Sequence, residues 1–171
     1  MRQKIINSFY VSFIIILISF SARSAEDLKS IGKFKDWETF TVTENNNKIC
    51  FAQSIPILRA PKKFERNPSR LFVSFRPTED IKDEVSSTSG YTFQKEKMVK
   101  AKTGKKTFNF FAQENFAWIL DTEEEQKFIQ AMKKASRVMI IGRTDKGKQT
   151  IDHYSLMGFS KAYNIAKKNC S

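Results

Sequence analysis

Apolar and polar side chains alternate along most of the chain, which is the pattern of β-strands that bury one face. The clearest alternating segments are 37–43 and 48–54, which a run of three asparagines connects, and 70–76, which ends at Pro77. Such an asparagine run favours a turn, so the first two segments predict a hairpin. Pro77 prevents the third from continuing in a central position of a sheet.

Further short strands are predicted downstream at the same spacing of about 8 to 12 residues, which is typical of a sandwich or a barrel. They cover 85–90, 98–102, 106–112, 115–120, 137–142 and 149–156, with Thr103–Gly104 as a tight turn between two of them. The chain is therefore predicted to be mainly β.

Two segments instead have the features of helices. Residues 122–125 fit a capping box with an acidic first turn, and Lys133 and Lys134 fall in the last turn, where cations are favoured. One apolar stripe of this helix is formed by Phe128, Ile129 and Met132. A second helix is predicted at about 160–168.

The amino-terminal segment predicts export. Arg2 and Lys4 precede a mainly apolar run at 5–20, and small residues follow it, as in a secretory signal peptide. Cleavage after Ser24 is favoured and cleavage after Ala25 is the close alternative. An uncleaved anchor is the other interpretation, although the run is short against the roughly 20 residues of a spanning helix. We therefore expect a signal peptide at 1–24 and a single domain at 25–171.

The cysteine count has a consequence in an exported chain. Cys50 and Cys170 are the two cysteines of the sequence, so only one intramolecular disulfide is possible, and export favours its formation. The second predicted helix would bring Cys170 back to the strand that carries Cys50. We expect a structural disulfide between them.

Residues with catalytic or metal-binding potential are sparse. His153 is the single histidine, and its strand neighbours point to the opposite face, so no residue beside it can orient it. The segment 142–149 has the spacing of a phosphate-binding loop but lacks the Ser or Thr that holds magnesium, and it joins two predicted strands. We predict no enzyme activity, no metal and no cofactor.

The charge balance suggests what the protein binds. The 171 residues carry 30 Lys and Arg against 18 Asp and Glu, a formal charge of +12. A strongly positive net charge favours anionic partners. Nucleic acid is disfavoured among them because we expect the protein to be exported. The candidate anion-binding residues are Lys62, Lys63, Arg66, Lys100, Lys102, Lys105 and Lys106. The alternative is that these charges only keep an exported protein soluble.

The order of several short motifs is similar to a known family. These motifs are Asp36–Trp37, Cys50–Phe51, Arg76–Pro77, Asp83–Ser86, Gly90–Tyr91, Ala117–Trp118, Tyr154–Ser160 and Cys170. Together they resemble the invasion-associated locus B family of bacterial envelope proteins, with Lys35 where that family usually has Gly. The resemblance implies an immunoglobulin-like β-sandwich, export to the envelope and association with host-cell invasion in some pathogens. It implies no catalytic residues.

These observations give a preferred function and two alternatives. We expect a non-enzymatic periplasmic or envelope-associated protein that binds an anionic envelope polymer, lipid or protein partner through its lysine-rich loops, with at most peripheral membrane contact. The first alternative is a surface-exposed factor that contacts a host cell. The second is an envelope hydrolase that uses a pair of carboxylates, one of them with a raised pKa.

Overall fold

A computed structural model describes residues 28–171, so the predicted signal peptide at 1–24 lies outside the described residues. The strands are β1 Lys29–Phe34, β2 Trp37–Glu44, β3 Asn47–Ser54, β4 Leu58–Ala60, β5 Arg70–Arg76, β6 Ile81–Thr88, β7 Val99–Thr103, β8 Lys106–Gln113, β9 Phe116–Trp118, β10 Arg137–Arg143 and β11 Gln149–Ser155. The helices are α1 Thr122–Lys134 and α2 Phe159–Asn169. Within 28–171, neither helix is long and apolar enough to span a membrane.

The strands form one antiparallel sheet in the order β1-β2-β3-β5-β6-β9-β8-β7-β10-β11-β4. Strand β8 joins its two layers, because residues 106–110 pair with β7 and residues 111–113 pair with β9. The first layer comprises β1, β2, β3, β5, β6 and β9, and the second comprises β7, β10, β11 and β4. The predicted mainly β sandwich with two short helices is confirmed, and its layers are continuous through β8.

A single core receives buried apolar side chains from both layers and both helices. Helix α2 lies on the inner face of the first layer, where the ring centres of Trp37 and Phe159 are 4.8 Å apart. In α1, the Phe128 ring packs at 4.9 Å from Phe108 and 5.4 Å from Phe110 of β8. Each fully buried large side chain of this kind contributes about 1.5 to 3 kcal/mol to stability. The helices therefore complete the core instead of extending the surface.

Most predicted elements are confirmed, with small shifts at their ends. The hairpin of β2 and β3 and the strand β5 are present. Two strands were not predicted, β1 and β4. The cap of α1 also differs from the prediction, since Asp121 accepts the backbone N–H of Glu124 at 2.8 Å and Thr122 is already helical.

A glycine makes the sharp corner between β11 and α2. Gly158 has a φ of +93°, in the left-handed region that only glycine adopts without strain. A Cβ atom there would lie 1.8 Å from the backbone oxygen of Phe34. The close approach of β1 to this corner therefore requires glycine at 158.

Trp37 and Trp118 both lie in predicted strands, where large aromatic side chains are expected to be buried, but only Trp37 is in the core. Trp37 is fully buried, and its indole N–H donates to the backbone oxygen of Ser155 at 2.9 Å. Trp118 lies half-buried on the outer face of β9. The expectation for Trp118 was wrong because alternation defines two faces of a strand without saying which one is covered.

Candidate functional site

The predicted disulfide between Cys50 and Cys170 is present. It joins β3 to the residue that follows α2 across 120 positions of sequence. Cys50 is fully buried and belongs to the core. The bond therefore holds the end of α2 against the first layer, which is a structural role.

The lysines predicted to bind anions do not lie together. Lys100 and Lys102 point outward from β7, and the turn after β7 carries Lys105 and leads to Lys106. This turn lies at the end of the second layer where β10 begins and β11 ends.

Lys62 and Lys63 lie at the opposite end of the second layer. The edge strand β4 ends at Ala60, and the chain continues from there toward the turn between β10 and β11, where the Nζ of Lys148 lies 4.4 Å from the ring centre of Phe64. The candidate lysines at 62–63 and those at 100–106 are therefore separated by the length of the layer.

Arg66 is not part of the basic surface. Its side chain is 1% exposed and forms a bidentate ion pair with Asp152, which is 0% exposed. The same guanidinium donates to the backbone oxygen of Ser89 at 2.7 Å. A dissolved anion cannot reach a charge that is already buried and paired, so we remove Arg66 from the candidate anion-binding residues.

A cleft of about 690 Å³ lies between the β7–β8 turn and α1. The turn contributes Lys105 and Lys106, and the helix contributes Lys127 and Lys134. Ala131 forms part of the cleft between the two helix lysines. We call this the basic cleft.

The lysines of the basic cleft differ in whether a carboxylate lies beside them. Lys127 lies 3.0 Å from carboxylate oxygens of both Glu123 and Glu124. Among residues 28–171, no ion pair involves Lys105, Lys106 or Lys134. Three lysines of the lining thus have no carboxylate partner in this part of the chain, although Glu123 also lines the cleft.

Sequence reasoning missed the helical side of the cleft. Lys127 and Lys134 are seven residues apart, which is two helical turns, so they share a face of α1. That spacing was available in the sequence. What it could not show is that the β7–β8 turn packs beside this face.

Carboxyl groups meet on the other side of α1, at its junction with β6. The Oε1 atom of Glu125 accepts the backbone N–H of Val85 at 2.6 Å. Burial, together with the nearby charges of Glu84 and Asp83, raises the pKa of Glu125 to about 7, although the bond from Val85 opposes this. These groups attach α1 to the sheet, and neither Glu125 nor Asp83 is part of the basic cleft.

Asp83 is held in place on both sides of its carboxylate. Its Oδ1 accepts the hydroxyl of Tyr163 at 2.6 Å and its Oδ2 accepts the amide of Gln126 at 2.9 Å. Burial and the bond to Asp83 raise the pKa of Tyr163. Lys133 lies over the same tyrosine ring at 3.8 Å, and burial lowers the pKa of its ammonium group. The arrangement connects α1, α2 and β6.

Comparison with known proteins identifies the fold. No protein-family model matches the chain, and no curated protein sequence matches it either. Among solved structures, the chain is similar to the crystal structure of invasion associated protein b from Bartonella henselae, with a TM-score of 0.57 and 14% sequence identity. The match covers 82% of this chain and 96% of the other. The chain therefore has the fold of invasion associated protein b.

Proposed function

We propose that this protein is an exported, non-enzymatic protein of the bacterial envelope, of the invasion-associated locus B type, that binds an anionic envelope component in the basic cleft. The single observation that carries the binding role is the cleft itself, whose lining combines Lys105 and Lys106 of a turn with Lys134 of α1. Export is supported by the pattern of residues 1–24. The disulfide fits an oxidising compartment.

The position of the cleft favours an anion more than the lysine count alone does. Lys134 belongs to the last turn of α1 and lines the cleft from the helix. Lys105 extends from a tight turn in which Gly104 has a φ of +57°. Two different elements thus present charges toward one cleft, which scattered solubilising lysines would not require.

The cleft also limits the form of the ligand. Its wall includes Ala131 and Ala135 beside the lysine stems, so an apolar portion of the ligand can pack below its charged group. A phosphate on a lipid or a polymer of the envelope meets both conditions. We place the ligand in this class of anionic envelope components.

Binding to anionic vesicles tests the proposal. The triple variant Lys105→Gln, Lys106→Gln, Lys134→Gln is compared with Lys62→Gln, Lys63→Gln, Lys146→Gln, which removes the same charge at the far end of the layer. Each lysine near an anionic surface is worth about 1 kcal/mol, so the cleft variant should bind phosphatidylglycerol vesicles roughly a hundredfold more weakly at low salt.

The control variant should keep most of its affinity. Equal losses in both variants would mean that net charge, and not the cleft, drives binding. Failure of the wild-type protein to bind phosphatidylglycerol vesicles, lipopolysaccharide and the envelope fraction of its host at low salt would refute the anionic ligand.

A further inference from the structure

The outer face of the first layer carries aromatic side chains that do not enter the core. They are Phe40, Phe51, Phe72, Phe111, Phe116 and Trp118, all half-buried or exposed. Phe111 and Phe116 are 38% and 44% exposed. Large aromatic side chains gathered on a solvent-facing sheet are costly to leave uncovered, so they indicate an interaction site.

The aromatic side chains form two walls. In one, the rings of Phe51 and Phe72 lie 6.2 Å apart between centres. The other is formed by Phe116 and Trp118, and Phe111 packs against Trp118 at 5.5 Å. Strand β6 runs between them, with Ser86 in register with Phe72 on one side and with Trp118 on the other. Since neighbouring strands are about 4.8 Å apart, the walls are about 10 Å apart at the backbone.

The space between the walls is a groove of about 550 Å³, which we call the aromatic groove. Ser74 and Ser86 contribute to its floor, because short side chains there leave room between the walls. At one end, the guanidinium of Arg76 donates to Glu84 at 2.9 Å. Gln113 lies in the same lining, on β8. Aromatic surfaces therefore alternate with groups that can form hydrogen bonds.

The charge of the groove differs from that of the whole chain. The charged residues of its lining are Arg76, Glu84 and Glu114, and the first two are paired with each other. On a chain with a formal charge of +12, this is a region without excess positive charge. An anion would be drawn elsewhere, and an uncharged ligand needs no counter-charge from this lining.

We propose that the aromatic groove binds a neutral glycan chain. A sugar ring presents an apolar face of C–H groups, which are weakly positive and pack on the negative face of an aromatic ring. Its edge carries hydroxyl groups, which match the serine, amide and carboxylate groups of the floor and ends. The groove offers both kinds of contact over the several residues of β6 that lie between the walls.

The hydrogen-bonding groups favour a glycan over a proline-rich peptide. Aromatic grooves also bind such peptides, but proline has no N–H, so these peptides offer few donors. The carboxylates of Glu84 and Glu114 can only accept hydrogen bonds. Hydroxyl donors of a sugar satisfy them, whereas a proline-rich backbone does not.

Tryptophan fluorescence gives a direct readout. The chain has two tryptophans, and Trp37 is fully buried, so a ligand in solution can contact only Trp118. The whole protein, purified after expression with its own leader, is titrated with chitohexaose and with maltohexaose. We expect at least one of them to shift the emission saturably to shorter wavelength.

Variants locate the site by calorimetry or NMR titration. Phe72→Ala and Trp118→Ala each remove one wall from the outer face and should weaken glycan binding at least tenfold. Phe64→Ala removes an aromatic ring at the far end of the second layer and should leave it unchanged. The cleft variant Lys105→Gln, Lys106→Gln, Lys134→Gln should also bind glycan normally, which separates this proposal from that of the anionic ligand.

Three outcomes would overturn the proposal. The first is that neither sugar binds at millimolar concentration. The second is that binding persists within a factor of two in both groove variants. The third is that a polyproline peptide binds in the groove while the sugars do not.

Discussion

The interiors of the two layers are held together by different forces. In the first layer, the inner face packs against α2 through apolar contacts such as Trp37 with Phe159, and a disulfide secures the helix. In the second layer, near the edge strand β4, the interior contains the buried ion pair of Arg66 and Asp152. Truncation of a buried apolar side chain lowers the free energy of unfolding in proportion to the volume that is removed. A buried ion pair instead leaves an uncompensated charge when one partner is lost.

Loss of the ion pair is one of the two largest expected effects. Asp152→Ala should lower the free energy of unfolding by about 3 to 5 kcal/mol, because the Arg66 guanidinium would remain buried without its carboxylate. The double replacement Arg66→Met with Asp152→Leu should be closer to wild type than Asp152→Ala. Urea unfolding monitored by circular dichroism measures both, and a cost below about 1 kcal/mol for Asp152→Ala would show that the pair does not stabilise the fold.

A pair of tryptophan variants sharpens the contrast between inner and outer faces. Trp37→Ala should cost about 3 to 5 kcal/mol, because it leaves a cavity against Phe159 and removes the bond to Ser155. Trp118→Ala, on the outer face, should cost about 1 kcal/mol. The two values come from the same unfolding experiment, and similar losses would mean that the outer aromatic face is part of the folded core.

The disulfide should contribute less than the ion pair or the packing of Trp37. Replacement of both Cys50 and Cys170 by Ala should lower the unfolding free energy by about 2 to 4 kcal/mol, since the bond constrains a long loop of the unfolded chain. Reductant should shift the wild-type unfolding midpoint by a comparable amount. The double variant is the control, and its midpoint should not respond to reductant.

The smallest expected effect is the pH dependence at the α1–β6 junction. The pKa of Glu125 is about 7 in the folded protein and near its ordinary value when unfolded. The folded state therefore binds the extra proton between these values, so stability falls as pH rises through this interval and is then constant. Glu125→Gln keeps an acceptor for Val85 and should remove about 1 to 2 kcal/mol of this dependence. If unfolding of wild type and variant changed equally between pH 5 and pH 8, the titrating group would lie elsewhere.

Local sequence determined most of the elements. The alternation in 70–76 specifies a strand because its period of two matches the pleat and Pro77 ends it. The acidic first turn and basic last turn of α1 specify a helix and its direction. The disulfide was also predictable, since only Cys50 and Cys170 could form it once export was inferred.

Only the tertiary structure shows that Arg66 is buried and paired. In the sequence it lies among lysines of a basic loop, and its partner Asp152 is 86 residues away. Whether a charge is buried depends on which other elements cover it, and no local pattern records that. For the same reason, Lys105 and Lys106 could be selected as candidates from the sequence, but their position in one cleft with Lys134 could not be predicted.

The aromatic groove also could not be predicted from the local sequence. In β5, Leu71 and Val73 face one way and Phe72 faces the other, and all are apolar. A strand with apolar residues on both faces has no preferred side in its own sequence. Leu71 and Val73 became core residues because the helices help to cover their face of the strand. Sequence thus determined where strands form, and packing decided which of their faces became core and which remained a surface for binding.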